Sequence, residues 1–430
     1  MRPNFVFILA DDLGYADLGC YGGRSQCSPH LDRMAAQGIR FTDGYANSPV
    51  CSPTRFALAT GRWQYRLRGG ADEPIASRSA RASPVLGLPA SHPTLASLLR
   101  EAGYSTALVG KWHLGFLPHF GPLKSGYSEF FGVMSGGVDY FLHCDPGGKH
   151  DLYEGEELVH RRGYLTDLLS ERAVAFVKRN RDKPFLLSLH YTAPHWPWET
   201  REDEAEARRI SNIVHTDGGS LATYLTMIRH MDEGIGELLQ ALRGIEENTC
   251  IVFTSDNGGE RFSDNWPLIG AKMDLLEGGI RVPYIVRWPE RVASGKTTAQ
   301  LALTMDWVPT FLEAADVAPH PEYPLDGVSL LGVLEHPDAI FDRQLFWRMK
   351  FRDQKAMRSG RWKYLSIEND EFLFDLGKDA RERANLARRE SERLIAMRAR
   401  YEAWEATMPP IPADALATIP YSKSDLAHPS

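Results

Sequence analysis

Side chains capable of chemistry stand directly behind several short apolar runs of this sequence. The run over residues 4–10 ends in Asp11-Asp12, and the run over 249–254 ends in Ser255-Asp256-Asn257-Gly258-Gly259. Three carboxylates and one amide oxygen make a hard-oxygen donor set, suited to Ca2+ or Mg2+ and poorly suited to a thiol-preferring metal. A run over 105–109 leads into Gly110-Lys111-Trp112-His113-Leu114-Gly115, and one over 184–189 precedes Ala193-Pro194-His195-Trp196-Pro197. A further segment, Cys51-Ser52-Pro53-Thr54-Arg55, is followed by Thr60-Gly61-Arg62. Each has an ordinary reading when taken alone. Paired aspartates after a strand are common, Asp-Asn-Gly is a normal turn, and a cysteine beside a proline turn is most often a buried thiol. Position singles them out, because in an open α/β sheet ligands gather outside the carboxyl ends of the strands.

The elements that must hold these residues show as alternation along the first three quarters of the chain. Apolar runs over 4–10, 105–109, 184–189, 249–254 and 282–287 read as strands. Segments 93–102, 165–178 and 221–243 carry apolar residues three and four apart, as amphipathic helices do. The pattern predicts an α/β fold with a mainly parallel central sheet between helices, spanning residues 1–324. Beyond that point the character changes. Short strand candidates over 345–347, 355–359, 362–367 and 372–374 precede a charged helix over 384–408, which predicts a smaller C-terminal α+β subdomain, 325–408, with an antiparallel sheet. The Pro-, Ala- and Ser-rich stretch 409–430 reads as an extended tail.

Cys-x-Pro-x-Arg at 51–55 with Thr-Gly-Arg at 60–62 resembles the sulfatase family, whose cysteine at this position is converted to formylglycine. Asp11-Asp12, the 110–115 segment, the 193–197 segment and Asp256-Asn257-Gly258 occur in the order and rough spacing of that family. Near the other end, Arg358-Ser359-Gly360-Arg361-Trp362-Lys363-Tyr364 and Phe374-Asp375-Leu376 resemble its small-domain strands, so the likeness runs from about residue 4 to 386. It implies an alkaline-phosphatase-like core and hydrolysis of an aryl or carbohydrate sulfate monoester to an alcohol and inorganic sulfate.

The resemblance also implies roles. Asp11, Asp12, Asp256, Asn257 and the modified Cys51 would hold one Ca2+, or Mg2+, per chain. One hydroxyl of the aldehyde hydrate at 51 would attack sulfur, and the second would let the intermediate collapse and expel sulfate. Arg55 and Lys111 would hold the hydrate and the sulfate, fixed cations facing developing negative charge. His113 would take the proton during collapse. His195 and Lys272 would contact the sulfate and the leaving oxygen, with the choice of acid between them left open. Ser135 corresponds loosely to a sulfate-proximal polar residue of some relatives. The stretch 277–283 reads as a tight backbone turn. Maturation would require a formylglycine-generating enzyme as partner.

Composition sets the outer limits. With 430 residues, 43% hydrophobic and a formal charge of -7, the chain can bury a large core and has no basic excess for nucleic acid or an anionic membrane. Five cysteines, Cys20, Cys27, Cys51, Cys144 and Cys250, read as free thiols. No secretory leader or membrane-length apolar stretch is visible, so the expected location is cytoplasmic, or periplasmic if a leader was removed. Trp63, Trp112, Trp196, Trp198 and Trp266 are candidates for stacking on a sugar or aryl group, though most such tryptophans are packing residues. His143, Cys144, His150, His160 and His215 lack zinc spacing and read as loop residues. Two other readings of the same site are a phosphonate monoester or phosphodiester hydrolase and a non-catalytic anion-binding relative. A two-zinc phosphomonoesterase is disfavoured, since no second His and Asp cluster exists and position 51 is neither Ser nor Thr. Homo-oligomerisation through the tail is left open.

Overall fold

The computed structural model describes residues 2–209 and 218–418. Five parallel strands form its centre: β1 (Asn4–Ala10), β2 (Ser105–Lys111), β3 (Glu129–Val133), β4 (Phe185–His190) and β5 (Thr249–Ser255), in the order β5-β1-β4-β2-β3. The sheet reaches ten strands through Tyr284–Arg287, Ile39–Phe41 and Lys296–Thr298 beyond β5, and Leu152–Glu154 and Glu157–Leu158 beyond β3. The mainly parallel sheet matches the expectation, with one refinement. The run over 282–287 shortens to Tyr284–Arg287 and pairs antiparallel to β5. A parallel return needs a crossover element, and the connection from β5 contains only the four-residue helical turn Glu277–Ile280.

Strand β1 shows why its sequence is apolar at every position after Asn4. Phe5, Phe7 and Leu9 face one core layer, Val6, Ile8 and Ala10 the other, and none is more than 2% exposed. A strand covered on both faces has no polar side to alternate with. Helices α1 (Cys51–Thr60) and α2 (Leu95–Glu101) cover the face of Phe5, contributing Phe56, Leu58, Leu95 and Leu99. The opposite face is covered by α3 (Leu165–Arg179) and α4 (Leu221–Ala241) through Leu169, Phe176, Met231 and Ile235. The three helices read from periodicity are therefore present, within a few residues at their ends.

The C-terminal part is a four-stranded antiparallel meander, Gln344–Met349, Gln354–Ser359, Trp362–Ile367 and Asp370–Asp375. Its helix α5 (Ser391–Glu405) is shorter than the expected 384–408. Side chains win over helix in the missing turns: Asp379 Oδ2 accepts from the N–H groups of Arg383 and Ala384, and Asn385 Oδ1 from those of Leu373 and Ala387. The meander shares a core with the first part, packing Trp347, Met357 and Leu365 with Tyr45, Cys51 and Ala57. Buried charge spans the same junction, Lys363 Nζ lying 2.9 Å from Glu277 and 2.8 Å from Glu382. The segment 277–283 is thus more than a turn, because Glu277 also accepts from the Tyr45 hydroxyl at 2.7 Å.

Of the tail, residues 416–418 run back over the molecule, Leu416 and Thr418 bonding the backbone of Glu73 at 2.8 Å each. Residues 419–430 lie outside the described residues. All five cysteines are free, and among the described residues no helix is long and apolar enough to cross a membrane.

Candidate active site

Strand register assembles the site. Ala10 pairs with Ser255, so Asp11-Asp12 and Asp256-Asn257 leave neighbouring strands side by side. Gly110 pairs with His190, so Lys111 and His113 emerge beside the loop that carries His195. Cys51 opens α1, Arg55 lies one turn further on the same helix, and Gly61 closes it in the left-handed conformation at φ 67. That role explains the glycine of Thr-Gly-Arg. Asp12 and His113 also adopt positive φ, 64 and 56, which non-glycine residues seldom do and which concentrates at functional sites.

Arg55 is buried, not on the solvated face that an isolated motif would suggest. Its Nε and Nη2 donate to Asp256 Oδ2 at 3.0 and 2.8 Å, and its Nη1 donates to the Lys111 carbonyl oxygen at 3.0 Å. Lys111 Nζ donates to Asp11 Oδ2 at 2.5 Å, with both side chains fully buried. Lys272 Nζ donates to Asp12 Oδ2 at 2.6 Å, and His195 Nε2 stands 3.6 Å from the same oxygen. Asn257 donates to Asp12 Oδ1 at 2.7 Å. Burial, with Asp256 second, holds the Asp11 carboxyl well above the usual range. Burial also opposes ionisation of Asp12, yet Lys272 and His195 hold it below that range.

Two features make this a candidate cation site. Asp11 Oδ1 and Asn257 Oδ1 are buried with no hydrogen-bond partner. Ligand atoms of Asp11, Asp12 and His195 lie within 4.8 Å of one another, as do those of Asp11, Cys51 and Asp256. Crowded carboxylates with orphaned oxygens are costly unless positive charge is shared among them. The hard-oxygen donors fit one divalent cation, for which Asp11, Asp12, Asp256 and Asn257 would supply the oxygens.

Cys51 is 2% exposed, and burial pushes its thiol up to about 11. An unmodified Cys51 is therefore no thiolate nucleophile near neutral pH. His113 Nε2 faces the Ile75 carbonyl oxygen at 2.8 Å, which makes that nitrogen the donor and leaves buried Nδ1 bare and unpartnered. His195 is fixed the other way, Nδ1 facing the Trp196 carbonyl oxygen at 2.6 Å. Burial first, then Lys111 for His113 and Lys272 for His195, holds both well below the ordinary histidine range.

Nine of the ten positions inferred from sequence, Asp11, Asp12, Cys51, Arg55, Lys111, His113, His195, Asp256 and Asn257, converge here, and the tenth, Lys272, joins them through Asp12. Ser135 is fully buried and donates to Asp151. Trp63, Trp112 and Trp198 are buried packing residues, the Trp196 ring lies tilted against that of His195 at 4.2 Å, and Trp266 is 49% exposed. His150 stacks on His160 and His143 is buried, so these are loop residues, while His215 lies outside the described residues. Sequence reading missed Tyr140, whose hydroxyl donates to the His195 carbonyl oxygen, and Asp139, Asp151 and Glu199, which hold the segment 135–142; none carries a motif.

The sulfatase family model matches residues 3–317, and a model for the C-terminal part of N-sulphoglucosamine sulphohydrolase matches 271–406. N-acetylgalactosamine-6-sulfatase of Rattus norvegicus is 34% identical over 371 residues, covering 80% of this chain and 68% of that protein. Arylsulfatase A of Homo sapiens is 32% identical over 441 residues, covering 89% and 83%. The crystal structure of Ps i-CgsB in complex with k-i-k-neocarrahexaose superposes with a TM-score of 0.82 at 33% identity, covering 94% of this chain and 93% of that one. With its strand-end carboxylates, buried Cys51 and ring of cations, the chain belongs to the sulfatase family and is a sulfuric ester hydrolase.

Proposed function

We propose that the ester cleaved is a sulfated saccharide, that Cys51 is matured to formylglycine by a formylglycine-generating enzyme, and that the cation is Ca2+. The observation that carries this reading is the burial of Cys51 within one cluster with Asp11, Asp256, Arg55 and Lys111. Burial pushes the thiol up to about 11 against the pull of Lys111 and Lys272, whereas an aldehyde hydrate would supply a hydroxyl nucleophile and a collapse route that regenerates the aldehyde. A bound divalent cation supplies positive charge to the sulfuryl oxygens and lowers the proton affinity of an oxygen bound to it.

The chain's own residues do the rest. Arg55 and Lys111, fixed by Asp256 and Asp11, present positive charge that needs no reorganisation as negative charge develops. His113, neutral with Nδ1 bare, accepts a proton at that atom during collapse. With Nδ1–H placed on the Trp196 carbonyl oxygen, a neutral His195 presents Nε2 as an acceptor, which suits a hydroxyl of the substrate and not a sulfate oxygen, itself only an acceptor. Lys272, an ammonium beside Asp12, is the better placed donor to the leaving oxygen. The saccharide assignment is supported by an exposed aromatic in the loop that carries Lys272. Trp266 carries Arg381 at 4.5 Å and Arg24 at 5.9 Å from its ring, in the same loop as Lys272. An exposed aromatic flanked by guanidinium groups suits a sulfated sugar better than a small aryl ester.

The test is sulfate release from aryl sulfates and from sulfated mono- and oligosaccharides, using protein co-expressed with a formylglycine-generating enzyme and loaded with Ca2+ or Mg2+. Turnover highest on a sulfated saccharide with Ca2+ is expected. Release from aryl esters alone refutes the saccharide assignment, and faster release of phosphonate than sulfate refutes the ester class.

A further inference from the structure

The two catalytic histidines share one wall. The segment from Ser135 to Tyr140 passes beside both: a Cβ on Gly136 would fall 2.4 Å from Cε1 of His113, and one on Gly137 would fall 3.0 Å from Cε1 of His195. At the end of the segment, the Tyr140 hydroxyl donates to the His195 carbonyl oxygen at 2.9 Å.

Buried carboxyl groups pin this segment at both ends. At the first, Asp151 accepts from the Ser135 N–H at 2.8 Å and from its hydroxyl at 2.5 Å, and Arg81 balances its charge at 3.1 Å. At the second, Glu199 Oε2 accepts from the Tyr140 N–H at 3.1 Å, and Asp139 Oδ1 accepts from the N–H groups of Phe141 and Leu142 at 2.8 and 2.6 Å. Among the described residues, neither Glu199 nor Asp139 forms a salt bridge. Glu199 Oε1 and Asp139 Oδ2 are both buried without a hydrogen-bond donor, and the two carboxyl groups, gathered on the Tyr140 peptide, lie close enough to interact. Two acceptor-only carboxylates can meet in that way only when one carries a proton.

We propose that Glu199 and Asp139 are a proton-sharing pair whose role is to position His195, and His113 through the same segment, for hydrolysis. The proposal rests on the roles given to those histidines above. Glu199 and Asp139 are positioning residues. They act through Tyr140 and the Gly136-Gly137 wall. The remaining ionisable groups around Glu199 are Asp203, Tyr140 and Tyr164. Arg201 nearby is occupied by Asp167 at 2.8 Å and Glu233 at 2.5 Å, and Asp203 Oδ2 by the Thr200 N–H and hydroxyl at 2.7 Å each. Burial, with Asp139 second, pushes the Glu199 carboxyl up to about 9. The shared proton is therefore present through the neutral range. Its loss in the alkaline range leaves two buried anions facing each other and loosens the wall.

The experiment measures kcat and KM for an aryl sulfate from pH 6 to 10, on cation-loaded enzyme bearing formylglycine. Wild type, Glu199→Gln, Glu199→Ala, Gly137→Ala and His195→Ala are compared, with melting temperatures alongside. Glu199→Gln keeps a donor facing Asp139 at every pH, so it should retain kcat near neutrality and lose the alkaline decline attached to the pair. Glu199→Ala and Gly137→Ala should lower kcat by at least about tenfold with a smaller change in KM, the scale expected when a reacting group is displaced by a fraction of an ångström to an ångström. An alkaline decline unchanged in Glu199→Gln overturns the proposal, as does folded Glu199→Ala with wild-type kcat. Should Glu199→Ala fail to fold, the Glu199→Gln profile decides. If His195→Ala itself leaves kcat unchanged, the role given to His195 falls and this proposal with it. If His195→Ala is impaired while Glu199→Ala is not, the positioning proposal falls alone.

Discussion

Arg55→Ala is the perturbation whose cost follows most directly from the geometry. The substitution removes two charged hydrogen bonds to Asp256 and one bond to the Lys111 carbonyl oxygen, all among side chains no more than 2% exposed. It leaves Asp256 as a buried carboxylate without its counter-ion, and breaking a buried pair from one side costs about 3–5 kcal/mol. Against a total stability of order 5–15 kcal/mol for a folded domain, that is a large fraction. Arg55→Lys keeps the charge and loses the fork, so its cost should fall between wild type and alanine. Adding Asp256→Asn to Arg55→Ala removes the stranded anion, so the double variant should be less destabilised than the sum of the singles, by at least about 1.5 kcal/mol. The assay is equilibrium unfolding in guanidinium chloride with a chelator present, so that cation binding does not mask the difference. A cost below about 1 kcal/mol for Arg55→Ala, or additive single and double variants, would refute the view that this ion pair is what holds Asp256 in place.

Two further outcomes follow from buried carboxyls. Chelation should lower thermal stability, and restoring cation at about one hundred times its Kd should return about 2.7 kcal/mol; Asp256→Asn should weaken cation binding at least about tenfold by isothermal calorimetry. An unchanged melting temperature on chelation would contradict the site. Glu73, which fastens the C-terminal arm, is pushed up to about 7 by burial. Its folded-state pKa exceeds the unfolded one, so its contribution is complete below about pH 4 and is lost as pH rises through about 7, on the order of 3 kcal/mol in all. Unfolding at pH 5.5 and 8.5 should show about 2 kcal/mol of that loss, and Glu73→Gln should flatten it.

The site was legible because the residues that do chemistry follow strand ends, and a parallel sheet brings such ends together whatever separates them in sequence. Asp11 and Asp256 are neighbours through the pairing of Ala10 with Ser255, which two buried apolar runs already suggest. What sequence hides is the partner set. Nothing in the spacing of Asp139 and Glu199 signals that they meet, and Tyr140 is an unremarked aromatic until its hydroxyl is seen on His195. The same holds for Glu277, which reads as part of a glycine turn and instead anchors Lys363 across the junction with the meander. The antiparallel pairing of Tyr284–Arg287 escaped for a related reason, since an apolar run does not state its direction. Of the tryptophans, only packing partners could separate the buried Trp63, Trp112 and Trp198 from the exposed Trp266.

Peptide mass at position 51, taken together with turnover, tests the central claim most directly. In active protein the tryptic peptide containing Cys51 should weigh about 18 Da less than its thiol form, and sulfate release should scale with the fraction converted. Full activity from a preparation in which that peptide retains an intact thiol would contradict the account.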